Sequence, residues 1–215
     1  INSMKNIVLL LLIFYSSVVF SQRFTFDFVT KYEIKYKDSF FTETIYSNTK
    51  VANVFFSIYK RGNTISALLI DINKEKYHVF KVIEKKENGQ SYFSYKYKKT
   101  IEFTENDVNQ FKGMHYKFEE IEKDSFFTKV LLTIVYDLKN PIEKSIYELK
   151  IKESDQNYFP NFRVAVLHPY ENLKNFDRFK NGLVVESVQI RDGERVYPSK
   201  LVQSEQVALK LIVPN

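Results

Sequence analysis

Phe24-Thr25-Phe26-Asp27-Phe28-Val29-Thr30-Lys31-Tyr32-Glu33-Ile34-Lys35-Tyr36 is the stretch whose reading decides the fold. Phe24, Phe26, Phe28, Thr30, Tyr32, Ile34 and Tyr36 take every second position, while Thr25, Asp27, Lys31, Glu33 and Lys35 fill most of the alternates. Successive side chains of a strand point to opposite faces, so a period of two over this length predicts one long strand with a buried aromatic face.

Downstream the same reading predicts strands at 42–47, 54–60, 64–72, 77–83 and 91–97, then at 115–122, 128–138, 145–152, 183–191 and 201–213. Their connections carry hairpin chemistry: Arg61-Gly62-Asn63, Asn73-Lys74-Glu75, Asn88-Gly89 and Asp192-Gly193 hold residues that tolerate positive φ. Thr104 is placed to cap a short helical turn through Val108. The least regular stretch runs from 155 to 182, and Pro169 opens an expected helix to Phe179, with Tyr170, Leu173 and Phe176 as its stripe. The expected fold is all-β, or β-rich α+β: a strongly curved antiparallel meander or half-barrel with one or two short helices. Residues 22–215 form a single domain in this reading, since only five glycines and five prolines leave no linker-like segment.

Ahead of the first strand stands a segment with the three parts of a secretory signal. Met4 and Lys5 form a short positive start, Ile7 to Phe14 is unbroken and apolar, and Val18 to Phe20 extends the run before Ser21, Gln22 and Arg23. Val19 and Ser21 suit the −3 and −1 positions, so cleavage is expected after Ser21, with Ile1, Asn2 and Ser3 as upstream residues. A spanning helix needs about 20 mostly apolar residues, more than the run from Ile7 to Phe20 supplies. The expectation is export to the periplasm or beyond, with no stable membrane anchor after cleavage.

The chain has no cysteine, which excludes acylation at a lipobox, disulfides and thiolate metal sites. Hydrophobic residues make up 44% and aromatics 16%, supplied by 20 Phe and 15 Tyr, so a core can form by packing alone. The formal net charge is +6, and +5 without Lys5. Lysines alternate with acids rather than clustering, so nucleic acid is not expected as a partner.

Catalytic constellations are missing at the level of motif. His78, His115 and His168 form no ligand pair, and no GxSxG, SxxK, Walker or GxGxxG pattern occurs, so neither metal nor cofactor is expected. Glu119, Glu120 and Glu122 alternate on one predicted strand as a solvated edge would, and Asp71, Asn73 and Glu75 lack the glycine and terminal glutamate of a calcium loop. One hexapeptide recurs: Lys37-Asp38-Ser39-Phe40-Phe41-Thr42 and Lys123-Asp124-Ser125-Phe126-Phe127-Thr128. It is read as a shared turn solution rather than as duplication.

The leader end Phe20-Ser21-Gln22, the opening from Phe26 to Ile34 and the stretch Tyr77-His78-Val79-Phe80-Lys81-Val82 resemble small exported proteins of Gram-negative bacteria. The strand pattern is also similar to the lipoprotein-carrier folds. That resemblance implies a curved antiparallel sheet closed by helices over a hydrophobic cavity. Asn181 to Glu186 resembles the signature of a second exported family through Gly182 and Leu183 alone, and no functional residue carries over. Three functions stay open. The first is a non-enzymatic binding protein holding an apolar or lipid-like ligand, with Phe24, Phe26, Phe28, Tyr32 and Tyr36 lining the cavity. The second is an interaction module for another envelope protein. The third is a hydrolase built from His168, Tyr170, Glu171, Asp177 and Arg178.

Overall fold

The computed structural model describes residues 21–87, 90–105, 114–136, 144–167 and 181–214. The alternating segment forms β1 (Gln22–Tyr36). It is followed by β2 (Ser39–Asn48), β3 (Val51–Arg61), β4 (Thr64–Asp71), β5 (Lys76–Glu87) and β6 (Gln90–Glu102). After these come β7 (His115–Lys123), β8 (Phe127–Val135), β9 (Lys144–Lys152), helix α1 (Phe159–Val166), β10 (Leu183–Arg191) and β11 (Glu194–Val213). All eleven strands join one antiparallel sheet in the order β6-β5-β4-β3-β2-β1-β11-β10-β9-β8-β7. The fold class is the expected one. The sheet is open, with β6 and β7 at its edges.

Its curvature is measurable across β1 to β5. Four strand spacings of a flat sheet would hold those strands about 19 Å apart, yet the rings of Phe24 on β1 and His78 on β5 lie 5.9 Å apart. The first turn of β1 and the last of β11 therefore curl over β3 to β5. A register shift between Phe26 and Phe28 in the β1–β11 ladder marks where this bend begins.

The hairpins follow the chemistry of their turn residues. Gly62 at φ +56° and Asp192-Gly193 at φ +54° and +82° close two-residue turns, the left-handed conformations that match the twist of the flanking strands. At Asn73-Lys74-Glu75 a single 3-10 turn forms instead, with the Asp71 carboxylate accepting the Lys74 amide at 3.1 Å. Asn73 donates to the Ala52 carbonyl at 3.1 Å, so the loosely calcium-like residues serve the turn. Asn88-Gly89, the capped turn from Asn106 to Val108 and the helix at 169–179 lie outside the described residues. β11 begins seven residues earlier than its sequence suggests. Tyr197, at φ +51°, and Pro198 stand at a register shift of the β10–β11 ladder, the kind of strand position where proline, lacking an N–H, is tolerated.

Among the described residues three apolar cores hold the sheet. Phe55 and Phe56 are neighbours on β3, so they face opposite ways. Phe56 meets Phe26, Leu69, Phe80, Leu211 and Val213 on one side, and Phe55 meets Ile45, Ile70 and Val164 of α1 on the other. The largest core joins Tyr32 and Ile34 to Leu132, Ile134, Leu149 and Val184 beneath Phe159 and Phe162 of α1. The helix arises where the sequence looks irregular: Pro160 sits in its first turn, and the Asn157 side-chain carbonyl accepts the Phe159 amide at 3.0 Å. Gly182 lets its lead-in approach, because Tyr158 donates to the Gly182 carbonyl at 2.9 Å and a Cβ at Gly182 would stand 2.6 Å from Ile151. Among the described residues no helix is long and apolar enough to cross a membrane.

Candidate ligand groove

The solvated alternates of the strands produce a charged surface groove. Cross-strand partners point to the same face, so the registers align one row of side chains over six strands. Glu33 of β1 faces Lys200 of β11, which faces Glu186 of β10. Glu186 faces Lys150 of β9, Lys150 faces Lys129 of β8, and Lys129 faces Glu122 of β7. Five strand spacings give the row a length of about 24 Å. Its single like-charged neighbour pair, Lys129 and Lys150, is relieved on both sides. Lys129 bonds the Glu122 carboxylate at 2.5 Å, and the Lys150 ammonium lies 4.4 Å above the Phe127 ring. That Glu122 contact holds the Lys129 ammonium above its ordinary pKa.

Beside this row the surface deepens into an open groove of about 790 Å³. Five cations line it, Lys35, Lys129, Lys150, Arg195 and Lys200, against three carboxylates, Glu33, Glu148 and Glu186. Arg195 occupies Glu148 with a two-pronged bond of 2.7 and 3.2 Å. Lys35, Lys150 and Lys200 make no ion pair among the described residues, and Lys35 lies 5.8 Å over the half-exposed ring of Phe40. At the β11 bulge Tyr197 stacks on Tyr36 at 4.7 Å and Arg191 covers Tyr197 at 5.4 Å. Underneath, the buried hydroxyls of Ser187 and Ser199 bond each other at 2.6 Å across β10 and β11, which fixes the floor.

The five aromatics expected to line a cavity are dispersed. Phe24 and Phe26 belong with Phe56, and Tyr32 lies in the core beneath α1, its hydroxyl donating to the Val184 carbonyl at 2.9 Å. Phe28 stacks on Tyr158 at 4.0 Å. Tyr36 alone of the five is exposed, and it stacks on Tyr197. A second cleft, of about 430 Å³, lies between the β2–β3 turn and the start of α1. Its amides are engaged in local structure: Asn48 accepts the Lys50 and Val51 amides, and Asn161 donates to the Thr30 hydroxyl.

The chemistry-bearing residues named from sequence do not converge either. His78 is buried, its Nδ1 lies 2.7 Å from the Thr100 hydroxyl, and burial pulls its pKa down. His115 stands exposed on β7, and Glu119 pairs with Lys117 of its own strand at 3.7 Å. His168, Tyr170, Glu171, Asp177 and Arg178 lie outside the described residues. Among the described residues no three His, Asp or Glu side chains gather as metal ligands.

Glu43, absent from the candidates that motifs suggest, is the one buried carboxyl among the described residues with a strongly displaced pKa. It stands between Tyr32 and Tyr59 and accepts the Ser57 hydroxyl, and burial pushes it up to about 7. Its alternation with Phe41 and Ile45 is the signal that could have found it, because an acid in that phase must face inward. The chain matches no family model, no curated protein and no solved structure.

Proposed function

We propose that this chain is an exported, non-catalytic binding protein whose recognition surface is the charged groove on the sheet. The observation that carries the reading is the set of groove cations left without a carboxylate partner: Arg195 is taken by Glu148 and Lys129 by Glu122, whereas Lys35, Lys150 and Lys200 make no ion pair among the described residues. Partly exposed lysines without a carboxylate partner attract anions and speed their arrival. Two of them lie over aromatic rings, which limits the side-chain freedom that binding would otherwise remove. Export is supported by the n-region, apolar run and small residues from Met4 to Ser21. The distribution of the β1 aromatics among packed cores favours a surface ligand over an apolar one held inside.

Expression of the full chain, cell fractionation and N-terminal sequencing test the export half. The mature product should begin at Gln22 and appear outside the cytoplasm, and an intact Met4 on a cytoplasmic product overturns it. For the binding half, an immobilised full chain should retain anionic material from envelope extract. The Lys150→Glu, Lys200→Glu chain should lose that retention, and equal retention by both chains overturns the reading.

A further inference from the structure

We infer that the groove's ligand is an acidic polysaccharide, a chain of sugar rings bearing intermittent carboxylates; the inference rests on the groove being the recognition surface. The cations do not converge on one point. Lys129 and Lys150 stand on neighbouring strands about 5 Å apart, and Lys200 lies two strands, about 10 Å, further on. A single phosphate or carboxylate needs donors closing on one centre, whereas separated ammonium groups suit an extended ligand with spaced charges.

Glu186 stands between Lys150 and Lys200, and Glu33 stands beyond Lys200. A nucleic acid carries a phosphate at every nucleotide and would be forced against these carboxylates. A sugar chain meets them differently, because its hydroxyls donate hydrogen bonds to Glu33 and Glu186 while its carboxylates accept from the lysines. Phe40 completes the match. It is 57% exposed on β2 in the groove lining, with Lys35 over one side of its ring, and an aromatic ring so exposed is of the kind that stacks against the C–H face of a pyranose ring.

The test is calorimetry on the full chain with hyaluronate as probe, since its glucuronate carboxylates alternate with uncharged N-acetylglucosamine rings. Dextran, a single-stranded oligonucleotide and phosphatidylglycerol vesicles serve as comparisons. Hyaluronate should bind, with affinity falling as salt rises, and dextran should bind at least about tenfold more weakly. Lys150→Glu with Lys200→Glu should weaken hyaluronate about tenfold or more, while Lys98→Glu on β6 changes nothing. Phe40→Ala should weaken it without altering the salt slope. If the double variant fails to give the parental circular dichroism and melting, Lys150→Gln with Lys200→Gln takes its place. Stronger binding of oligonucleotide or vesicles, lost in the double variant, overturns the ligand class and leaves the groove as the recognition surface. Binding of none of the probes, or binding unchanged in the double variant, overturns both.

Discussion

Replacing Glu43 by Gln should abolish a specific pH dependence of stability. The carboxyl is buried among Tyr32, Tyr59 and Ser57, and its pKa rises from the usual 4.5 to about 7 through loss of water. At pH 4 the group is largely neutral in folded and unfolded chains alike, and its burial costs little. Between pH 4.5 and 7 the unfolded chain releases the proton and the folded chain keeps it, so folding becomes less favourable as pH rises. Above pH 7 the folded chain ionises too and the loss is complete. The gap between 4.5 and about 7 corresponds to roughly 3 kcal/mol. Glutamine keeps the shape and still accepts the Ser57 hydroxyl, but never ionises. Urea unfolding of parent and variant at pH 4, 6 and 8 should therefore show near-equal stability at pH 4. By pH 8 the advantage of Glu43→Gln should reach up to about 3 kcal/mol, or about 6–12 °C in melting temperature. A difference between the two chains that stays flat from pH 4 to 8 would refute the reasoning.

Other perturbations separate the layers of the fold. Phe56→Ala removes a fully buried ring that touches Phe26, Tyr46, Phe80 and Tyr95, and should cost about 3–5 kcal/mol; a loss below about 1 kcal/mol in denaturant melts would contradict the core around Phe56. Gly182→Ala should cost about 1–3 kcal/mol, because the new methyl meets Ile151. Ile151→Ala in the same chain should make the two losses less than additive, and strict additivity would argue against the clash. Asp124→Ala should speed hydrogen exchange at the Phe126 and Phe127 amides, which its carboxylate accepts at 2.7 Å each. Exchange at those amides that stays at the parental rate would show that the carboxylate does not hold the turn.

The last of these perturbations touches the recurring hexapeptide, whose two copies show how far local sequence reaches. In the first, Lys37 at φ +54° and Asp38 form a two-residue turn, and the strand resumes at Ser39. In the second, Asp124 folds its carboxylate over the chain and the strand resumes only at Phe127. Each copy is a hairpin turn, as six turn-favouring and strand-favouring residues allow, but the register differs because the flanking strands set it. The strands themselves are legible, since period-two alternation is a local property, as β1 and β8 illustrate. Helix α1 is not, because Phe159, Asn161, Phe162, Arg163 and Val164 are all buried and leave no polar face to give a stripe. Nor is the groove. Glu33, Lys150, Glu186 and Lys200 read as ordinary solvated alternates until the register between distant strands places them in one row.

At the centre of the sheet β1 pairs with β11, so Gln22 lies opposite Val213. Among the described strands, the first to leave a ribosome thus waits for the last before its second ladder can form. Until then Phe24 and Phe26 lack Leu209 and Leu211 beside them, and the core around Phe56 lacks one wall. Pairing between strands so distant in sequence slows folding and leaves apolar surface uncovered meanwhile. A sheet seamed along its middle by its earliest and latest strands is completed only when β11 arrives.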